Sequence, residues 1–98
     1  MQIAEFRHKG LQRLYQKGDA KGVPATMTDK LRKLLLAMDT ADTIDQLNRF
    51  PGWRLHPLKG DLKGFWSLTV TGNWRLVFRY HKESNSASSL DLIDYHGR

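Results

Sequence analysis

At 98 residues the chain is one small domain with room for a modest core, and with no cysteine it has neither a disulfide framework nor a thiolate metal site. Lysine and arginine number 16 against 10 acidic residues, a net charge of +6, which points to a polyanionic partner, nucleic acid first, or else to a solubilising surface. No run approaches the roughly 18–20 apolar residues of a membrane span, and MQIAEFRHKG lacks the apolar core of a signal peptide, so a cytoplasmic protein without a membrane partner is expected.

Ile3, Ala4 and Phe6 predict a short first strand. From His8 to Lys17 the pattern turns helical, with Leu11, Leu14 and Tyr15 at i, i+3 and i+4 and Gly18 as the stop. Pro24 suits a helix start, and Thr26 or Thr28 is the expected cap. Met27, Leu31, Leu34, Leu35 and Met38 then form the apolar stripe of a second helix. Lys30, Arg32 and Lys33 lie off that stripe, either as phosphate contacts or as a solvated face. Ile44 and Leu47 suit a short helical turn before Pro51.

Trp53 and Leu55 begin a predicted strand that reaches His56, and Lys59-Gly60-Asp61 makes a turn. The runs FWSLTV and WRLVFRY then read as a β-hairpin. A loop of Thr71-Gly72-Asn73 places Val70 opposite Trp74, Leu68 opposite Leu76 and Trp66 opposite Phe78, so that both apolar rows share one face. A strict two-residue loop would separate them. Phe65, Ser67, Thr69, Arg75, Val77 and Arg79 then make a second face, basic and half polar, where function is expected. Lys82 to Ser89 reads as a flexible polar loop, and Leu90, Leu92 and Ile93 as a last strand. The expected fold is α+β, a small antiparallel sheet packed against two N-terminal helices, in a single domain over 1–98.

Four histidines are candidates for proton transfer, at positions 8, 56, 81 and 96. His8 and His81 read as structural or exposed. His56 ends a strand with Lys59 three residues later, and His96 follows Asp94 and Tyr95. The spacing of these groups matches no common zinc pattern. Cleavage of RNA needs neither metal nor cofactor. The 2′-OH attacks its own phosphate, a base takes its proton, an acid protonates the leaving 5′-oxygen, and cations hold the developing charge. Two histidines with Lys59 and Arg75 meet that need, and DNA lacks the attacking hydroxyl.

The run His56-Pro57-Leu58-Lys59-Gly60-Asp61, then Gly64-Phe65-Trp66-Ser67, then Asn73-Trp74-Arg75-Leu76 and Asp94-Tyr95-His96, resembles the HigB toxins of the RelE/ParE superfamily. Phe6-Arg7-His8-Lys9-Gly10-Leu11 matches their usage as well. The resemblance implies a type II toxin that cleaves mRNA in the A site of the 70S ribosome, beside 16S rRNA. It implies a helix-turn-helix antitoxin of HigA type, through which alone operator DNA is reached. The catalytic set carries over onto His56, Asp94, Tyr95 and His96, with His96 as general base and His56 as its partner. Lys59 and Arg75 match phosphate-stabilising positions, and Arg54 and Arg79 are added as RNA contacts. Gly97-Arg98 and the length of the Lys82–Ser89 segment depart from the family pattern. Two rival functions remain: a ParE-like poison of DNA gyrase that cuts nothing, and a binding module whose tryptophans stack bases.

Overall fold

The computed structural model describes residues 1–95; His96, and with it the expected general base, lies outside them, as do Gly97 and Arg98. The chain runs β1 (Gln2–Ile3), α1 (Lys9–Lys17), α2 (Thr28–Thr40), β2 (His56–Pro57), β3 (Phe65–Thr71), β4 (Trp74–His81) and β5 (Ser86–Asp94). Short 3₁₀ helices lie at Ala25–Met27, Ile44–Arg49 and Gly60–Leu62.

The helices follow their apolar spacing. In α1, Leu11 and Leu14 are buried, His8 caps the start by accepting the Leu11 amide at 3.1 Å, and Gly18 closes it at φ 70°. Gly10 meets the connection to α2 so closely that a Cβ there would stand 2.0 Å from the Gly22 carbonyl oxygen. In α2 the expected Leu31, Leu34, Leu35 and Met38 are the buried stripe. Neither threonine caps it: Met27 stands at the N-cap, and Thr28 Oγ1 donates back to the Pro24 carbonyl at 3.2 Å. The preceding 3₁₀ turn takes up the free amides that a cap would otherwise serve.

The sheet has the order β1-β5-β4-β3-β2. It is mixed, not purely antiparallel as expected, because β1 pairs in parallel with β5 through Gln2↔Ser86 and Ile3↔Ala87. Nearly the whole chain lies between these two strands, so no hairpin geometry dictates their direction.

The hairpin reaches the expected register by another route. Trp74 pairs with Thr71 across a two-residue Gly72-Asn73 loop, with Gly72 at φ 52°. The ladder then shifts between Thr69 and Thr71, so Val70 bulges instead of facing Trp74, and Leu68↔Leu76 and Trp66↔Phe78 follow. A tight loop plus one bulged residue gives the same offset as a three-residue loop, and it keeps both apolar rows on the helix side.

Two other strand limits differ from expectation. The Trp53–His56 run does not form one strand: Thr69 N–H donates to the Trp53 carbonyl at 2.7 Å, and Arg54 then turns to φ 50° before β2 begins at His56. The second half of the Lys82–Ser89 segment is strand, since β5 starts at Ser86 and both Ser86 and Ala87 are buried. Small side chains there fit a strand flanked on both edges, a situation that polar composition does not reveal.

The main core lies between the helices and one face of the sheet and includes Leu11, Leu31, Leu34, Leu68, Leu76 and Phe78. The opposite face carries a smaller cluster of Leu58, Phe65 and Val77, edged by Leu62, Ile93 and Tyr95. The apolar half of that expected basic, half-polar face is thus buried in its own cluster. Ser67 is fully buried, and among the described residues neither its hydroxyl nor that of Thr69 has a hydrogen-bond partner.

Candidate active site

The second face is where the cations gather. Side chains directly opposite in a ladder point the same way. His56 pairs with Ser67 and Ser67 with Val77, so the three form one row across β2, β3 and β4. Thr69↔Arg75 forms the next row toward the hairpin loop, and Phe65↔Arg79 the next in the other direction.

His56 is exposed, and its Nδ1 lies 2.7 Å from the Arg54 carbonyl oxygen. A carbonyl only accepts, so Nδ1 carries the hydrogen and Nε2 is the nitrogen left to exchange a proton. The left-handed turn at Arg54 is what brings that carbonyl to the ring. A non-glycine residue held there stores strain, and such strain clusters where geometry serves function. Arg54 itself is exposed.

Arg75 is tied to the hairpin: its Nη1 donates to the Gly72 carbonyl at 2.7 Å and the Trp74 carbonyl at 3.0 Å. A guanidinium has five N–H donors, so this anchor leaves others for an anion. Lys59 and Tyr95 line one side of an open cavity of about 410 Å³ together with Gly60, Asp61 and Leu62. Tyr95 is placed by its amide, which donates to the Asn73 carbonyl at 2.8 Å, and by its packing on the Leu58–Phe65–Val77 cluster.

The structure therefore brings His56, Arg75, Arg79 and the Tyr95–Lys59 cavity to one face. Asp94 stands apart from them. It pairs with Trp74, a register that turns it toward the helix side at the exposed end of β5. The helix cations are also elsewhere: Lys30 lies over the Trp53 ring at 5.3 Å, and Arg32 donates to the Gly18 carbonyl at 3.3 Å. His8 and His81 have structural tasks, the first as the α1 cap, the second bonded through Nε2 to Ser88 Oγ at 2.8 Å.

Arg7 is the site-face residue that sequence reasoning passed over. Its guanidinium lies 5.1 Å from the Phe65 ring centroid, and that of Arg79 lies 4.5 Å from the same ring. Arg7 precedes α1, and no local pattern links it to a strand far along the chain.

A helix pair on one face of a small mixed sheet is a RelE/ParE-like α+β fold. A YoeB-YefM complex from Staphylococcus aureus has a chain that matches at TM-score 0.53 and 18% identity, covering 93% of this chain and 97% of that one. The YoeB/ParE toxin from Agrobacterium tumefaciens matches at TM-score 0.51 and 20% identity over 95% and 99% of the two chains.

Sequence narrows the class further. The model of the HigB-like toxins, the RelE-like toxins of type II toxin-antitoxin systems, matches residues 4–96, and the chain belongs to that family. It is 47% identical to Endoribonuclease HigB of Proteus vulgaris over 94 residues, which are 96% of this chain and 99% of that protein. Toxin HigB-1 of Vibrio cholerae is 31% identical over 77 residues, 78% of this chain and 81% of the relative. No helix among the described residues is long and apolar enough to cross a membrane.

Proposed function

We propose that this toxin is a metal-independent endoribonuclease that cuts mRNA in the ribosomal A site. The observation that carries the reading is His56: an exposed imidazole whose Nδ1 is bound to the Arg54 carbonyl, on the same sheet face as Arg75. Its likeness to Endoribonuclease HigB of Proteus vulgaris supports the same reaction class.

In this mechanism the 2′-oxygen attacks the adjacent phosphorus and gives up its proton, and the P–O5′ bond breaks. The leaving 5′-oxygen takes a proton, so the products are a 2′,3′-cyclic phosphate and a 5′-hydroxyl. His56 handles one proton through Nε2, and His96 handles the other. Arg75 and Lys59 hold the charge that grows on the phosphoryl oxygens, and Arg54 adds a further cation. Tyr95 orients the nucleotide, and Asp94 supports the strand end that carries it. The ribosome supplies the substrate alignment that so sparse a site needs. An antitoxin of HigA type, with its own helix-turn-helix for operator DNA, restrains the toxin in the cytoplasm.

The test is primer extension on an mRNA in a translating extract, with wild type beside His56→Ala and His96→Ala. New 5′ ends at A-site codons are expected with wild type, and they vanish when translation is blocked. Loss of general acid–base help lowers cutting by about 10²–10⁴-fold in either variant. His56 is exposed, so the melting curve of His56→Ala stays within about 0.5 kcal/mol of wild type. Undiminished cutting by both variants would overturn the mechanism, and intact mRNA during growth arrest would point to a gyrase poison instead.

A further inference from the structure

We infer that Arg7 and Arg79 form a second phosphate subsite, which grips the RNA backbone beside the scissile phosphate; the inference rests on the nuclease reading for its ligand.

Both guanidinium groups lie against the ring of Phe65, Arg79 at 4.5 Å and Arg7 at 5.1 Å from its centroid. The ring is 3% exposed and packs with Leu58 and Val77, so both guanidinium groups rest on one fixed side chain. Each such contact is worth only about 0.5–1 kcal/mol at an exposed site, while the two like charges repel. Among the described residues neither group meets a carboxylate. Glu5, two residues from Arg7, accepts the Ser89 hydroxyl at 3.1 Å, and Asp91 on β5 accepts the Leu92 amide at 2.9 Å. A bound anion would relieve the repulsion.

Two more features suit an anion. The nine-residue α1 begins just after Arg7, and its first turn holds no acidic residue. Its positive end therefore adds to the field. Gly64 stands at φ 95°, and a Cβ there would lie 2.8 Å from Arg79 Nη1, so glycine leaves the guanidinium its space.

Position decides which anion. Arg79 lies one row to one side of the His56–Ser67–Val77 row, and Arg75 one row to the other. Each is two residues away along the strand, about 6–7 Å. An RNA strand that crosses the face between β2 and β4 presents one phosphate on the His56–Ser67–Val77 row and its neighbours on the Arg75 and Arg79 rows. The planar fork of arginine suits the paired oxygens of a phosphodiester.

The experiment measures binding of a single-stranded 2′-O-methyl RNA, which cannot be cut because its attacking hydroxyl is blocked, across a range of salt. Empty 70S ribosomes are the second probe. Arg7→Gln and Arg79→Gln are each expected to weaken binding several-fold. The double variant should lower the slope of log affinity on log salt by about 0.7, one phosphate's worth on a single strand. Arg7→Lys should keep most of the slope. A merely structural role for either arginine would shift melting and leave the slope alone. Slope loss on the oligomer assigns the subsite to mRNA, and loss on empty ribosomes alone assigns it to rRNA. An unchanged slope with both probes in a folded double variant overturns the inference. Intact mRNA with the wild type would remove the nuclease reading, while slope loss in the double variant would leave the phosphate subsite standing.

Discussion

The two faces of the sheet are built from alternate residues of the same strands, yet they have different tasks. Along β4, Leu76 and Phe78 point to the helices and are fully buried, while Arg75, Val77 and Arg79 point the other way. The helix face is closed by α1 and α2 and carries the main core. Among the described residues the far face carries a smaller cluster of Leu58, Phe65 and Val77, edged by Leu62, Ile93 and Tyr95. That small cluster is large enough to hold aromatic and aliphatic side chains still. It is small enough to leave cations standing around its rim. The main core and the candidate site are thus separated by the period-two alternation of strands.

Neighbouring substitutions on β4 test that separation most directly. Phe78→Ala should cost about 3–5 kcal/mol, read as a lower urea midpoint. Val77→Ala removes two methyl groups from the small cluster and should cost about 1.5 kcal/mol. Its larger effect should be on cutting, because the row beside His56 loses its floor. Equal destabilisation by the two would mean that the far cluster bears as much of the fold as the main core.

Arg54→Gly sharpens the contrast with a smaller effect. At φ 50° an arginine is strained, and glycine relieves that at the price of a looser unfolded chain. Stability should rise by roughly 0.5–1 kcal/mol, while cutting falls because the carbonyl that holds His56 is no longer pinned. A fall in both would show that the turn is not strained.

The smallest effect belongs to the helix side. Tyr15 on α1 hydrogen-bonds Asp39 on α2, and burial first, then that bond and the carboxylate's charge, raise its pKa from 10.0 to about 12. A phenol pKa raised on folding means that the neutral form is favoured in the fold. Its stabilisation is complete below pH 10 and is lost as pH rises from about 10 to 12. Tyr15→Phe should therefore flatten the stability profile in that alkaline window. An unaltered profile would show that the Tyr15–Asp39 contact contributes nothing there.

Much of this was legible in the residues. Leu31, Leu34, Leu35 and Met38 declared α2 because a helix must repeat its apolar face every 3.6 residues. Trp66, Leu68, Leu76 and Phe78 declared their pairing because a one-residue slip would turn one apolar row to solvent. His56, Lys59 and Arg75 were named as candidates from residue type and family likeness, and all three lie on or beside one face. The separation of Asp94 was not legible, since it depends on which residue of β4 stands opposite. Nor was the strand nature of Ser86 and Ala87, whose polar and small character suits a loop until β1 is laid against them.

By itself the sequence determined the helices, the hairpin register, the basic character and the set of chemical groups, because each depends on local spacing or composition. Tertiary structure decided what requires distant segments to meet. These are the parallel β1–β5 pair, the turn at Arg54 that holds His56, and the meeting of Arg7 with Arg79 on Phe65. Periodicity records which way a side chain must face. It carries no record of which remote residue will lie beside it, since that is settled only when loop closure brings the segments together and the whole core is packed.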